Sequence, residues 1–174
     1  MLSALFQKRR FEQAVRAYSG DLYRYLHWSC RDRALAEDLL QETFARAWEA
    51  WEDQHDEKAV RAWLFTIARR EHARIHERQR PEADADADPD SLESLLPHDP
   101  AGAIDMRRAL EAMPPDYRDP LLLQVLGGLG CREIAQASGS TEEAVFMRLS
   151  RARKALRALL ETPPATGTNR RSTK

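Results

Sequence analysis

Cysteine is nearly absent: Cys30 and Cys131 are the only two, far apart and in no CxxC pair. A disulfide framework is therefore not expected, and a reducing cytoplasm fits. No apolar run is long enough to span a bilayer. Residues 1–10 carry few apolar side chains before a basic cluster. A secretory signal has the reverse order, so none is read here. Alternating β-branched runs are missing, which argues against strands. There is no glycine-rich phosphate loop and no nucleophile–base motif, so neither cofactor nor catalytic residue is implied. What remains is a chain of 174 residues, 43% hydrophobic and 32% charged, with a mean hydropathy of -0.64. That is enough for one ordinary domain or two small ones, rich in surface helix.

Basic residues are also missing from one stretch. Residues 81–105 hold eight acidic side chains (Glu82, Asp84, Asp86, Asp88, Asp90, Glu93, Asp99 and Asp105) and no Lys or Arg. The rest of the chain has 20 acidic and 27 basic residues, a net of +7 beneath an overall charge of -1. Two mildly basic bodies joined by an acidic strap attract polyanions differently from a neutral globule. The alternative is a solvated surface with a disordered connector.

Hydrophobic periodicity divides the chain. Residues 6–80 read as helices at about 11–30, then a second, then 60–78. Leu35, Leu39, Leu40, Phe44, Ala47, Trp48 and Trp51 recur at helical spacing, opposite Glu37, Asp38, Gln41, Glu42, Arg46 and Glu49. Leu64, Ile67, Ala68 and Ile75 form the inward stripe of the third helix. Residues 81–104 mix prolines with mutually repelling aspartates and bury too little apolar surface to offset their ordering entropy. They are expected to be extended and flexible. Residues 105–160 read as helices at 105–112, 119–126, 132–138 and 141–160, with breaks at Pro114-Pro115, Gly127-Gly128 and Gly139. Ser140 and Glu143 have capping-box spacing, with Thr141 the other candidate cap. Val145, Leu149, Ala152, Leu156 and Leu159 make the last helix's buried stripe. Residues 161–174 read as a disordered tail. The expected fold class is all-α: two small helical domains joined by a flexible acidic linker, the second a helix-turn-helix domain.

Three constellations could carry function. A short helix, a turn at Gly139 and a longer helix make a helix-turn-helix pattern, whose second helix lies in the major groove in DNA-binding proteins. Its outward side would show Glu142, Glu143, Phe146, Met147, Ser150, Arg151 and Lys154, with Arg148 and Arg153 on the flanks. From Val145 onward there are eight basic residues and one acidic, which suits phosphate contacts. The competing reading is a helical hairpin with a solvated basic face. In the first body, Arg70, Arg74 and Arg78 fall at i, i+4 and i+8, with Arg69 beside them and Trp63 at the helix start. Arginines near an aromatic suit single-stranded nucleic acid, although Trp63 as core and a wet arginine face would explain the same pattern. Asp38, Gln41 and Glu42 form an acidic-polar patch at i, i+3 and i+4 that could dock a basic helix. Metal sites are set aside: His72 and His76 lack the Glu of the zinc-protease motif, Ala73 standing there, and His27 with Cys30 has no second pair.

Read together, these segments resemble a known family. Ala36-Glu-Asp-Leu-Leu-Gln-Glu-Thr-Phe-Ala-Arg-Ala-Trp48 resembles the core-polymerase-binding helix of extracytoplasmic-function sigma factors of the sigma-70 family. Trp63-Leu-Phe-Thr-Ile-Ala-Arg69 resembles the start of their minus-ten-recognising helix. Ala109-Leu-Glu-Ala-Met-Pro114 resembles the lead-in helix of their last domain. Glu133-Ile-Ala135, Gly139, Val145, Arg148-Leu149 and Arg151-Ala-Arg153 resemble its minus-thirty-five-reading helix-turn-helix. These matches cover most of residues 11–160 in the family's order.

The resemblance implies roles that composition does not. Asp38, Leu39, Gln41, Glu42 and Phe44 would meet core RNA polymerase, chiefly the coiled-coil helices of its β′ subunit, with the β subunit also a partner. The loop from Asp53 to Ala62, with Lys58 and Arg61, would hold a flipped minus-ten base, and Trp63, Arg69, Arg70 and Arg74 would meet minus-ten promoter DNA. Phe146, Met147, Arg148, Ser150, Arg151 and Lys154 would read the minus-thirty-five element. The acidic linker would thread the RNA exit path. An anti-sigma factor, often membrane-anchored, is the implied regulator, and no small-molecule substrate is implied. Three departures bear on promoter choice: Arg70 replaces a common Asn, Glu143-Ala-Val-Phe-Met147 replaces a common Gly-Thr-Val-Lys-Ser, and Ser150 replaces a frequent aromatic. The rival of a different class is a stand-alone helix-turn-helix regulator that binds duplex DNA without polymerase, which leaves Ala36 to Trp48 without a purpose. A metal hydrolase using His72 and His76 is the remote third.

Overall fold

A computed structural model describes residues 2–53, 59–78 and 100–161, and within them seven α-helices and one 3-10 turn. Helices α1 (Leu2–Cys30), α2 (Arg33–Glu49) and α3 (Val60–Arg78) pack on one another, with the 3-10 turn Trp51–Asp53 between the last two. Helices α4 (Pro100–Ala112), α5 (Pro115–Val125) and α6 (Cys131–Ser138) gather around α7 (Glu142–Glu161). Among the described residues, no helix is long and apolar enough to cross a membrane.

Local chemistry sets most helix ends. Asp32 caps α2, its carboxylate accepting from the Leu35 N–H at 3.0 Å. Glu133 accepts from the Gly130 N–H at 2.8 Å at the start of α6. Thr141, not Ser140, caps α7: its Oγ1 accepts from the Ala144 N–H at 3.2 Å. Gly139 ends α6 at φ 62°, a left-handed turn natural to glycine, and lets the Ser140 N–H reach the Ala135 carbonyl. Arg31 takes the same left-handed conformation after α1, at φ 59°, where a side chain costs about 1–2 kcal/mol.

Several expected boundaries move. With no Pro or Gly before Gly20, α1 starts at Leu2 rather than near residue 11. Pro100 begins α4 inside the stretch expected to be linker, and Pro115 begins α5 where a stop was expected. Proline suits the first helical position because its missing N–H has no intrahelical acceptor there. Residues 79–99 and 162–174, which include most of the expected flexible linker and tail, lie outside the described residues.

The core is continuous across both groups of helices. Leu22, Tyr25, Leu26, Trp51, Leu64 and Phe65 fill the first, and Met113, Leu123, Ile134, Val145 and Leu149 the second. The stripe of α7 runs Val145, Leu149, Ala152 and half-buried Leu156. Leu159, expected to belong to it, is 37% exposed, in the last turn.

Candidate nucleic-acid and polymerase interface

On α2, a buried stripe of Ala36, Leu39, Thr43 and Ala47 turns Asp38, Gln41 and Glu42 to solvent. Leu39 is only 2% exposed and supports the helix from inside, at the base of the patch. Phe44 is half-buried, edge-on to Phe11 at 6.3 Å, while Trp48 stays half-exposed against the same ring. Glu42 pairs with Arg46 at 3.0 Å, and Arg46 reaches across to Glu71 on α3 at 2.9 Å. Glu71 is 8% exposed and also accepts from Arg74 at 3.1 Å. Asp38, Leu39 and Ile75 complete the lining of a groove between α2 and α3. The acidic patch is thus one rim of a channel whose floor is a charge network.

The minus-ten candidates are scattered by the fold. Lys58 lies outside the described residues, as does the Arg78 side chain. Trp63 is half-buried and tilted against Trp51, ring centres 5.9 Å apart, so packing holds at least part of its surface. Arg70 is exposed, and Arg74 is exposed beside Glu71. Arg61 donates to Asp21 at 3.1 Å and to the Leu126 carbonyl at 2.8 Å. Arg69 donates to Asp119 at 2.8 Å and to the Ala137 carbonyl at 3.2 Å. Arg61 and Arg69 are therefore spent on the second group of helices in this arrangement.

On α7 the geometry matches the periodicity. Phe146 is 61% and Met147 50% exposed, beside exposed Ser150, Arg151 and Lys154. Phe146 is not a core side chain. Arg148 donates to the Ser140 hydroxyl at 3.3 Å, and Arg153 to Gln124 at 2.6 Å, so these two flank the free face and brace it. The first turn carries Glu142 and Glu143, which favour the helix N-terminus electrostatically.

Sequence reasoning missed the seam between the two groups. The buried Tyr25 hydroxyl donates to Asp119 at 2.7 Å, and Arg31 donates to the Glu111 carbonyl. Burial, then the charge of Asp119, raise the Tyr25 phenol well above its ordinary value. Burial, then the charge of Arg31, lower the Arg118 guanidinium in the adjoining cleft. That cleft, about 200 Å³, is lined by Arg69, His72, Asp116, Arg118 and Arg148 among others. Nothing in spacing signals such contacts, because most of the acceptors are backbone carbonyls. Among the described residues, no three His, Cys, Asp or Glu side chains gather as metal ligands.

Comparison with known proteins agrees with the layout. Region 2 of sigma-70 matches residues 14–81, and region 4 of sigma-70 matches residues 103–156. The chain is 32% identical over 158 residues to the ECF RNA polymerase sigma factor SigM of Bacillus subtilis, covering 85% of this chain and 93% of the relative. It is 32% identical over 164 residues to the ECF RNA polymerase sigma factor SigC of Mycobacterium tuberculosis, covering 91% and 88%. Its fold is similar to that of the sigma factor RpoE of Bartonella quintana, solved in complex with the anti-sigma factor NepR. The TM-score is 0.72 at 25% identity, over 87% of this chain and 97% of that one. It is also similar to CnrH, solved with the cytosolic domain of CnrY, with a TM-score of 0.65 at 25% identity over 88% of each chain.

Proposed function

The chain belongs to the extracytoplasmic-function sigma factors of the sigma-70 family, and on that premise we propose how its residues divide the work. It is an alternative sigma factor that binds core RNA polymerase and directs promoter-specific transcription initiation. Asp38, Gln41 and Glu42 on the rim of the α2–α3 groove, with Phe44 behind them, dock the polymerase, β′ first. Acidic side chains on a rigid amphipathic helix suit a basic helical partner and steer the encounter. The minus-ten element is met by α3 and the loop before it, through Lys58, Arg61, Trp63, Arg69, Arg70 and Arg74. Arginines and an aromatic stabilise unstacked bases and their phosphates as the duplex opens. The minus-thirty-five element is read in the major groove by Phe146, Met147, Ser150 and Arg151, with Arg148 and Lys154 on the backbone. No bond is made or broken by the chain itself, and its place of action is the cytoplasm, where the polymerase works.

The domains follow: residues 6–80 for polymerase and minus-ten DNA, an acidic linker of 81–104 shortened by the start of α4, and residues 105–160 for minus-thirty-five DNA. An anti-sigma factor is the proposed regulator, on the precedent of the RpoE and CnrH complexes. The observation that carries this reading is the α7 face: four exposed readers standing over a stripe of Val145, Leu149 and Ala152 that is fully buried. Transcription from genomic DNA fragments by purified core polymerase, with and without the chain, tests it. Start sites that appear only with the chain are expected, and their absence would overturn the reading. A stand-alone regulator would instead footprint duplex DNA without polymerase.

A further inference from the structure

We propose that the cleft lined by α3, α5 and α7 is a binding site for the phosphate or diphosphate group of a small molecule, a ligand on which no bond is changed. Three guanidiniums from three helices line this cleft of about 200 Å³: Arg69 of α3, Arg118 of α5 and Arg148 of α7. Arg118 carries the inference. Its side chain is half-buried, yet among the described residues no acceptor lies within hydrogen-bonding distance of it. A guanidinium offers five N–H donors, and one that is drawn out of water without an acceptor is completed by an anion. Arg69 spends Nε on Asp119 and Nη1 on the Ala137 carbonyl, which leaves Nη2. The Arg148 guanidinium meets only the neutral Ser140 hydroxyl.

The carboxylates nearby leave this charge largely uncancelled. Asp119 spends both oxygens, one on the Tyr25 hydroxyl and one on Arg69, and Glu111 pairs with Arg107 at 2.8 Å. Asp116 also lines the cleft and opposes an anion, but it is exposed, where water and salt screen it. Burial, then the charge of Arg31, lower the Arg118 guanidinium, as befits a cation held beside another cation. Ile134 and Val145, each 1% exposed, belong to the same lining, so charges in the cleft act through a less polar medium than at an open surface. The choice of phosphate follows from the directions of approach. One planar carboxylate satisfies one guanidinium fork, whereas tetrahedral oxygens accept from several sides at once. The inference goes beyond the functional reading above and does not rest on it.

Calorimetric titration of the full chain with inorganic pyrophosphate, at fixed ionic strength, tests the site. Saturable binding at one site is expected. Arg118→Gln should bind roughly tenfold more weakly, the loss of one charge-assisted contact. Arg148→Gln should weaken binding as well, and Arg151→Gln, on the outer face of α7, should leave it unchanged. Should Arg118→Gln lose helicity by circular dichroism, Arg148→Gln carries the comparison, because its side chain is exposed. A parallel titration with adenosine diphosphate separates the sources: tighter binding than pyrophosphate assigns the site to a nucleotide, and weaker binding assigns it to the free anion. Absence of saturation with both would overturn the proposal. So would equal weakening by Arg151→Gln, which would mean diffuse attraction to a basic surface. Glutamate binding as tightly as pyrophosphate would make the site a carboxylate pocket and overturn the phosphate assignment.

Discussion

Phe146 shows how much one side chain can decide. An exposed phenylalanine at the start of a helix invites either core packing or an apolar partner, and its 61% exposure removes the first option. A thymine methyl in the major groove is a suitable partner. Phe146→Lys should therefore change minus-thirty-five preference while stability stays within about 1 kcal/mol. A large drop in melting temperature would mean that the side chain packs after all. Tyr25 makes a different demand. Its phenol is raised by burial and by Asp119, so the folded chain holds that proton more tightly than the unfolded one. The stability this gives is fully present below the unfolded value of about 10 and is lost as pH rises beyond it. Alkaline unfolding should consequently be steeper for the natural chain than for Tyr25→Phe, and equal slopes would refute the assignment.

Among the elements, α2 sets a buried stripe of Ala36, Leu39, Thr43 and Ala47 against a solvent face. Its buried stripe carries the fold and its acidic rim is left for a partner. Reversing Asp38 and Glu42 to Arg should weaken core-polymerase binding with little loss of helicity. The cost is confined to the Glu42–Arg46 pair, about 0.5 kcal/mol for an exposed i,i+4 pair. A pull-down with undiminished polymerase would reject α2 as the docking helix. Helix α7 was legible for the same reason: its period of buried residues determines its outward face. Its cap was less so, because Ser140 and Thr141 both offer a hydroxyl, and only the backbone path decides which one meets the free N–H. The start of α5 was misread because Pro115 serves equally as a stop and as a first residue.

At the scale of the whole chain, charge is partitioned between acidic residues 81–105 and the basic remainder. If the acidic stretch follows the RNA path, its charge competes with nascent RNA. Replacing Asp84, Asp86, Asp88 and Asp90 by Asn should then alter open-complex formation or promoter escape and leave the melting temperature of the helical parts nearly unchanged. Abortive and full-length transcripts with an unaltered ratio and rate would exclude that role.

The chain's sequence by itself determined that it is helical, where its two groups of helices lie, and which faces of α2 and α7 look outward. Those properties are periodic and local: a stripe at helical spacing declares its own opposite face, and Gly139 ends a helix wherever it is placed. The resemblance carried by residues 36–48 supplied the family. Only the tertiary structure decided how the two groups meet. Arg61 and Arg69 read as solvated or DNA-facing, and Arg31 attracts no reading at all, because a guanidinium in sequence names no partner. Here their shared acceptors are carbonyls at three helix ends, gathered by folding. Every residue has a carbonyl, so no pattern of residue types marks the three that folding leaves within an arginine's reach.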